Sequence, residues 1–335
     1  MEKLVDRSPT LRAVDLAARF TPPRRFAGVR FETYVPDPAH PSQGEALAAV
    51  ERFAAGLIEG ASPPARRWSW RRGSVAGTDP PPGRYLDGGF GIGKTHLLAA
   101  LWHAAPPPKA YLTFEELTAV IGFMGMVAAV ELFAGYRLVC LDEFELDDVA
   151  NTLMAVTFLR SIVPATKVAT TSNALPDKLG EGRFSVDEFR REVAAIASHF
   201  DVVRIDGDDY RARTRAAADP GQVMVPLPGL VSCDELDGLL AHLRRVHPAQ
   251  FGALLDGLDG VMVEGLHPIA NQGDALLFVQ LVDELYDAEV AFAATGCRVD
   301  ELFPASYRRG GYRKKYGRAE SRLAAMLAES AGVSR

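Results

Sequence analysis

The sequence has few cysteines, and it lacks a positive net charge, a long apolar run and an apolar leader. Its three cysteines, Cys140, Cys233 and Cys297, stand far apart in 335 residues and form no C-x-x-C pair. That spacing argues against a disulfide framework or a zinc site and fits a reducing compartment. The formal charge is −6, so no global basic field draws in polyanions, and nucleic acid is not expected as a partner. The longest apolar stretch, residues 117–130, is interrupted by glycines and falls short of the ~20 residues a membrane-crossing helix needs. No integral membrane segment is therefore expected. Glu2, Lys3, Asp6 and Arg7 stand where a secretory signal would carry apolar residues, so a cytoplasmic location is the expectation. The chain is 48 % hydrophobic and 24 % charged, enough for one large or two modest globular domains.

Against these absences stands one dense motif. Gly88-Gly89-Phe90-Gly91-Ile92-Gly93-Lys94-Thr95 is a complete G-x-x-x-x-G-K-[ST] loop. Glycines let backbone N–H groups turn inward around phosphate oxygens. Lys94 can reach the β and γ phosphates, and the Thr95 hydroxyl can ligate Mg²⁺. Residues 84–87 read as a strand entering the loop and residues 95–102 as a helix leaving it, the arrangement that makes an anion site. His96, on the first helical turn, is placed beside the nucleotide without a chemical role.

Three segments are expected: an arm rich in proline and arginine (1–41), a nucleotide-binding core (42–213) and a C-terminal α/β region (214–335). Ser42 and Glu45 suggest a capped helix over 43–58, and Thr113 and Glu116 repeat the capping pattern. Strands are expected at 110–112, 137–141, 167–171 and 200–205, with helices at 149–162 and 186–198. Strands alternating with helices define an α/β fold, a parallel sheet with helices on both faces. Beyond a linker at 214–221, strands at 261–264 and 290–294 flank a helix at 273–286, and a last helix covers 318–328.

A phosphate loop alone establishes binding. The apolar run Leu138-Val139-Cys140-Leu141 ends in Asp142 and Glu143, 48 residues after Lys94. In a parallel sheet, ligands lie at the carboxyl ends of strands. Asp142 can then hold the metal while Glu143 polarises the attacking water. Asn173 ends the next strand and can position that water or sense the γ phosphate, unless it only favours a turn. Arg183 is the candidate arginine finger for a neighbouring subunit's nucleotide, with a solvated arginine as the competing reading; Arg190, Arg191 and Arg211 are further choices. Phe123-Met124-Gly125 resembles aromatic–hydrophobic–glycine pore loops, though a plain helix segment explains it too. Arginine–aromatic stretches at 66–72 and 307–318 suit stacking on single strands, but solvated loops or protein contacts are the favoured reading.

Several segments together resemble the ZapE-like ATPases, AAA+ proteins related to the mitochondrial Afg-one-like group. They are Tyr85 to Leu98 around the loop, Leu141-Asp142-Glu143-Phe144 with its trailing acids, Ala169-Thr170-Thr171-Ser172-Asn173, Asp209-Tyr210-Arg211 and Leu281-Val282-Asp283-Glu284-Leu285-Tyr286-Asp287. The short chain and the Gly310–Tyr316 stretch are similar to the actinobacterial branch. The resemblance implies an AAA+ P-loop NTPase fold, ATP hydrolysis, Mg²⁺ dependence and nucleotide-linked homo-oligomers, a hexameric ring among them. It also implies remodelling of a protein partner, through FtsZ and the division machinery in bacteria or through membrane-protein quality control in the mitochondrial relatives. A helicase-loader-like ATPase driven by nucleic acid is the alternative. Many relatives carry basic residues where Leu276 and Leu277 stand, so a nucleotide-sensing residue there is absent or has moved to Arg313 or Arg318.

Overall fold

The structure, a computed structural model, describes residues 2–10, 17–59, 83–89, 91–145, 149–173, 190–207, 227, 229–309 and 312–330. The chain divides into two compact units. One comprises Phe20–Pro22 and Gly28–Thr214; the other comprises Met1–Arg19, Pro23–Ala27 and Arg215–Arg335.

The first unit holds five parallel strands, β1 (Gly83–Gly88), β2 (Lys109–Thr113), β3 (Leu138–Asp142), β4 (Lys167–Ser172) and β5 (Phe200–Ile205). Their spatial order is β2-β3-β4-β1-β5. Its helices are α1 (Pro41–Glu59), α2 (Lys94–Ala104), α3 (Phe114–Met124), α4 (Met126–Phe133), α5 (Val149–Ile162) and α6 (Arg190–Ala197). All five residues of β3 are buried, as an apolar strand covered on both faces must be. Within it, burial pushes the Cys140 thiol far above its usual range, so the cysteine behaves as a small apolar core residue.

Local chemistry sets most of the ends. Thr113 caps α3 as expected, its hydroxyl accepting the Glu116 N–H at 3.1 Å while the Glu116 carboxylate accepts the Thr113 N–H. Ser42 does not cap α1. The helix begins at Pro41, a residue whose missing N–H costs nothing in the first turn. The Ser42 hydroxyl instead accepts the Asp206 N–H at 2.9 Å, tying α1 to the end of β5. Gly125, at φ +83°, divides the apolar run into α3 and α4. Beside that break Phe123 is 36 % and Val127 74 % exposed.

The second unit holds the parallel strands β6 (Val231–Glu235), β7 (Gly260–Leu266) and β8 (Ala291–Gly296), in that order. Its main helices are α7 (Leu236–Leu243), α8 (Gln272–Asp287) and α9 (Arg313–Ser330). Leu4 is fully buried in this unit's core, and its N–H donates to the Asp234 carboxylate at 2.8 Å. The L-x-D-x-L-Y-D segment lies on α8. Leu281 and Leu285 enter the core, while Asp283 accepts from Arg318 (2.7 Å) and Arg322 (2.8 Å). Asp287 takes Arg25 at 2.6 Å, and the Tyr286 ring lies 4.3 and 4.9 Å from the Arg25 and Arg322 guanidinium groups. Leu276 and Leu277 pack against the same core. Tyr316 is fully buried and stacks on Tyr307 at 5.2 Å, so these two aromatics of the 307–318 stretch serve the unit's own packing.

Candidate nucleotide site

The sheet order brings the expected site residues together. β3, β4 and β1 are neighbours, so Asp142 and Glu143, Asn173, and the loop after β1 lie at three adjacent strand ends. Lys94 and Thr95 open α2 directly beyond the loop. The connection from β1 to β2 passes β4 and β3, so the loop lies where the chain reverses its winding, the usual ligand crevice of open α/β sheets.

The glycines of the loop are there for space. Gly93 has φ +88°, and a Cβ on it would lie 2.6 Å from a Tyr34 ring carbon. A Cβ on Gly88 would lie 2.2 Å from the Ile205 carbonyl oxygen. Gly91, at φ +69°, completes the turn, and Gly89 and Ile92 line it. Phe90 lies outside the described residues, as do Arg183, Arg211 and the 66–72 stretch. The side chains of Arg190 and Arg191 also lie outside them.

Lys94 is only 8 % exposed. Its ammonium donates to the Gly88 carbonyl (2.9 Å), the Gly89 carbonyl and Asn173 Oδ1 (2.9 Å). Asp142 is buried and heavily solvated by protein. Its Oδ2 accepts from the Tyr111 hydroxyl at 2.8 Å. Its Oδ1 accepts from the Thr171 hydroxyl, the Glu143 N–H (3.1 Å) and the Thr95 hydroxyl (3.3 Å). Glu143 follows in the left-handed region at φ +51°, a conformation that costs a non-glycine residue about 1 kcal/mol or more. Two bonds from its N–H, to Asp142 Oδ1 and to Thr171 Oγ1 (3.0 Å), hold it there. Phe144, fully buried against Phe114 at 4.7 Å, anchors the following residue.

Burial pushes the Asp87 carboxyl up, and Arg204 and Lys94 oppose that shift. His96 lies on the outer side of the loop, 3.0 Å from the Thr33 hydroxyl and 5.4 Å from the Tyr34 ring. Burial lowers its pKa, which favours the neutral ring.

These residues fit a polyphosphate with a divalent cation. A nearly buried ammonium stands at the N-terminus of an eleven-residue helix, and a hydroxyl and a carboxylate, both hard oxygen donors, lie 3.3 Å apart.

Sequence reasoning missed Tyr111, Thr171, Glu145, Tyr34 and Gln43. Register held the clue to the first two. Tyr111 pairs with Cys140 and so shares a face with Asp142, and Thr170 pairs with Leu141, which sets Thr171 beside Asp142. Tyr34 and Gln43 carried no such signal. Gln43 accepts the Asp37 N–H at 2.9 Å and donates to the Asp206 carbonyl at 3.2 Å, joining the 28–40 segment to the end of β5.

This sheet, with its glycine loop between β1 and α2 and its acids at the end of β3, has the P-loop α/β fold of the AAA+ type. The AFG1-like ATPase family model matches residues 16–227 and 231–332. The chain belongs to that family of ATPases. Among curated proteins nothing matches significantly. Among solved structures it is similar to DnaI at 19 % identity and TM-score 0.41, over 56 % of this chain and 93 % of that one. It is similar to a primosome component from Streptococcus pyogenes at 17 % and 0.41, over 60 % and 100 %. The DnaA structure from Aquifex aeolicus, with AMPPCP bound, gives 16 % and 0.39 over 55 % of this chain. The chain spans about half of that DnaA, 52 % of its length.

Proposed function

We propose that the protein hydrolyses ATP with Mg²⁺ at the β1–α2 loop and uses the turnover to remodel a protein partner. The observation that carries the reading is the convergence of Lys94, Thr95, Asp142, Glu143 and Asn173 on three adjacent strand ends and one helix N-terminus. Loop N–H groups and Lys94 bind the phosphates. Thr95 and Asp142 would hold the metal, which supplies charge stabilisation when bound. Tyr111 and Thr171 keep the Asp142 carboxylate oriented. Glu143, its backbone fixed by two hydrogen bonds, takes the proton of the attacking water, and Asn173 orients that water or the γ phosphate. Tyr34, over Gly93, braces the loop from outside. Arg183 serves in trans in a homo-oligomeric ring, as part of an ATPase core within residues 42–213.

The partner follows from the ZapE-like resemblance, which points to the FtsZ division machinery. Membrane-protein clients, as in the mitochondrial relatives, are the second choice. No described helix is long and apolar enough to cross a membrane.

Phosphate release by wild type and Glu143→Gln tests the chemistry. The variant is expected to lose turnover by about 10²–10⁴-fold while still binding ATP. Unchanged turnover would remove Glu143 from the water-activating role. Capture with the ATP-held variant then separates FtsZ from membrane-protein clients, and stimulation by single-stranded DNA would favour a loader-like role instead.

A further inference from the structure

Thr171 makes hydrogen bonds to three consecutive residues of the site. Its hydroxyl donates to Asp142 Oδ1 and accepts the Glu143 N–H at 3.0 Å. Its carbonyl accepts the Phe144 N–H at 2.8 Å. The hydroxyl has one proton, and a carboxylate can only accept, so the proton goes to Asp142 and a lone pair faces the Glu143 N–H. Valine, with the same shape, can serve neither neighbour.

Between these contacts Glu143 sits at φ +51°. β3 is extended up to Asp142, and an extended residue 143 would carry its side chain to the face opposite Asp142. The left-handed residue breaks that alternation. Beyond the turn, Phe144 is buried against Phe114, and Glu145 Oε1 accepts from Asn173 Nδ2 at 2.8 Å. A left-handed glutamate persists only where its surroundings hold it.

Asp142 depends less on Thr171 than Glu143 does. It keeps the Tyr111 hydroxyl on Oδ2 and the Thr95 hydroxyl on Oδ1. The Glu143 N–H is shared between Thr171 Oγ1 and Asp142 Oδ1, and Thr171 pins the second acceptor as well. Loss of the hydroxyl therefore falls on Glu143 first.

We infer that Thr171 is a positioning residue for Glu143: its hydroxyl holds the left-handed turn that aims the water-activating carboxylate. The inference rests on the ATPase reading of this site.

The test has a thermal arm and a kinetic arm, both on the full-length chain. In the left-handed region glycine is unstrained and alanine is not. Glu143→Gly is therefore expected to melt about 2–4 °C above Glu143→Ala. In the Thr171→Val background that gap should close, because the turn is no longer held. In the kinetic arm, Thr171→Val should lower kcat about 10–100-fold, the loss that a misplacement of about 1 Å brings. Affinity for a fluorescent ATP analogue, and the Mg²⁺ concentration giving half-maximal rate, should each move by less than about 3-fold. Thr171→Ser keeps the hydroxyl and should stay within about 3-fold of wild type. Thr171→Ala, compared at matched folding by circular dichroism, should follow Thr171→Val in both arms. In the Glu143→Gln background Thr171→Val should slow the residual turnover by less than about 2-fold, since no base is left to aim. The inference is overturned if the glycine–alanine gap survives Thr171→Val, if serine loses as much as valine, or if Thr171→Val slows turnover equally in both backgrounds. Each of those results leaves the ATPase reading intact. A wild type that neither binds nor hydrolyses ATP overturns that reading and this inference together.

Discussion

Gly93→Ala isolates the contact between the phosphate loop and the 28–40 segment. Two costs arise. At φ +88° an alanine sits in the left-handed region, at about 1–2 kcal/mol. Its Cβ would also lie 2.6 Å from the Tyr34 ring, closer than any real Cβ contact, so the ring must leave. Tyr34 is buried, reaches the Ile92 carbonyl at 3.3 Å and packs edge-on to His96, so displacing it costs about 1–3 kcal/mol more, the usual range for overpacking. Together the substitution should destabilise the first unit by about 2–5 kcal/mol, a fall in Tm of roughly 5–15 °C. Trp102 lies on α2, so its fluorescence reports on unfolding of the first unit. The sharper measurement is a double-mutant cycle. Tyr34→Ala removes the obstacle but not the backbone strain. Gly93→Ala should therefore cost at least about 1 kcal/mol less in the Tyr34→Ala background. Strict additivity would refute the steric reasoning and leave only the φ penalty.

Two further outcomes can be checked directly. Burial lowers the His96 pKa below its ordinary 6.5, so the unfolded chain takes up the proton first and stability falls as pH drops through that region. His96→Gln should flatten the fall in Tm between about pH 7.5 and 5.5, while His199 and His247, lowered for the same reason, leave a residue of it. Asp283→Asn should cost the second unit about 2–4 kcal/mol in urea unfolding, because it removes the carboxylate that accepts from both Arg318 and Arg322, with Arg322 keeping Asp287 at 3.5 Å.

The parts of the fold that were legible share one property: their signal is local. β3 is an apolar run of four residues before its acid, α3 announces its cap, and the phosphate loop carries its spacing in eight consecutive residues. Register then added Tyr111 and Thr171 only after the strand order was known. β6 reads Val-Ser-Cys-Asp-Glu, and its acids mask a strand in which Ser232 and Asp234 are buried. Asp234 is there to receive the backbone of Leu4 and Val5, partners 230 and 229 residues away. Glu145 is similar. It looks like one more acid after Asp142-Glu143, and only the turn of the chain at Glu143 brings it to Asn173. The positive φ of Glu143 has no sequence signature, since the residue is chosen for its carboxylate and not its backbone.

The burial of Leu4 against α7 and β6 bears on how the chain is made. Residues 4 and 234 share one core, and the whole five-stranded sheet is translated between them. That sheet's last strand ends at Ile205, so its unit can close while the partner residues for Leu4 are still unsynthesised. The N-terminal residues must then wait, apolar and unpaired, until more than two hundred further residues have emerged. The second unit's core can therefore be completed only after the whole five-stranded sheet has been synthesised.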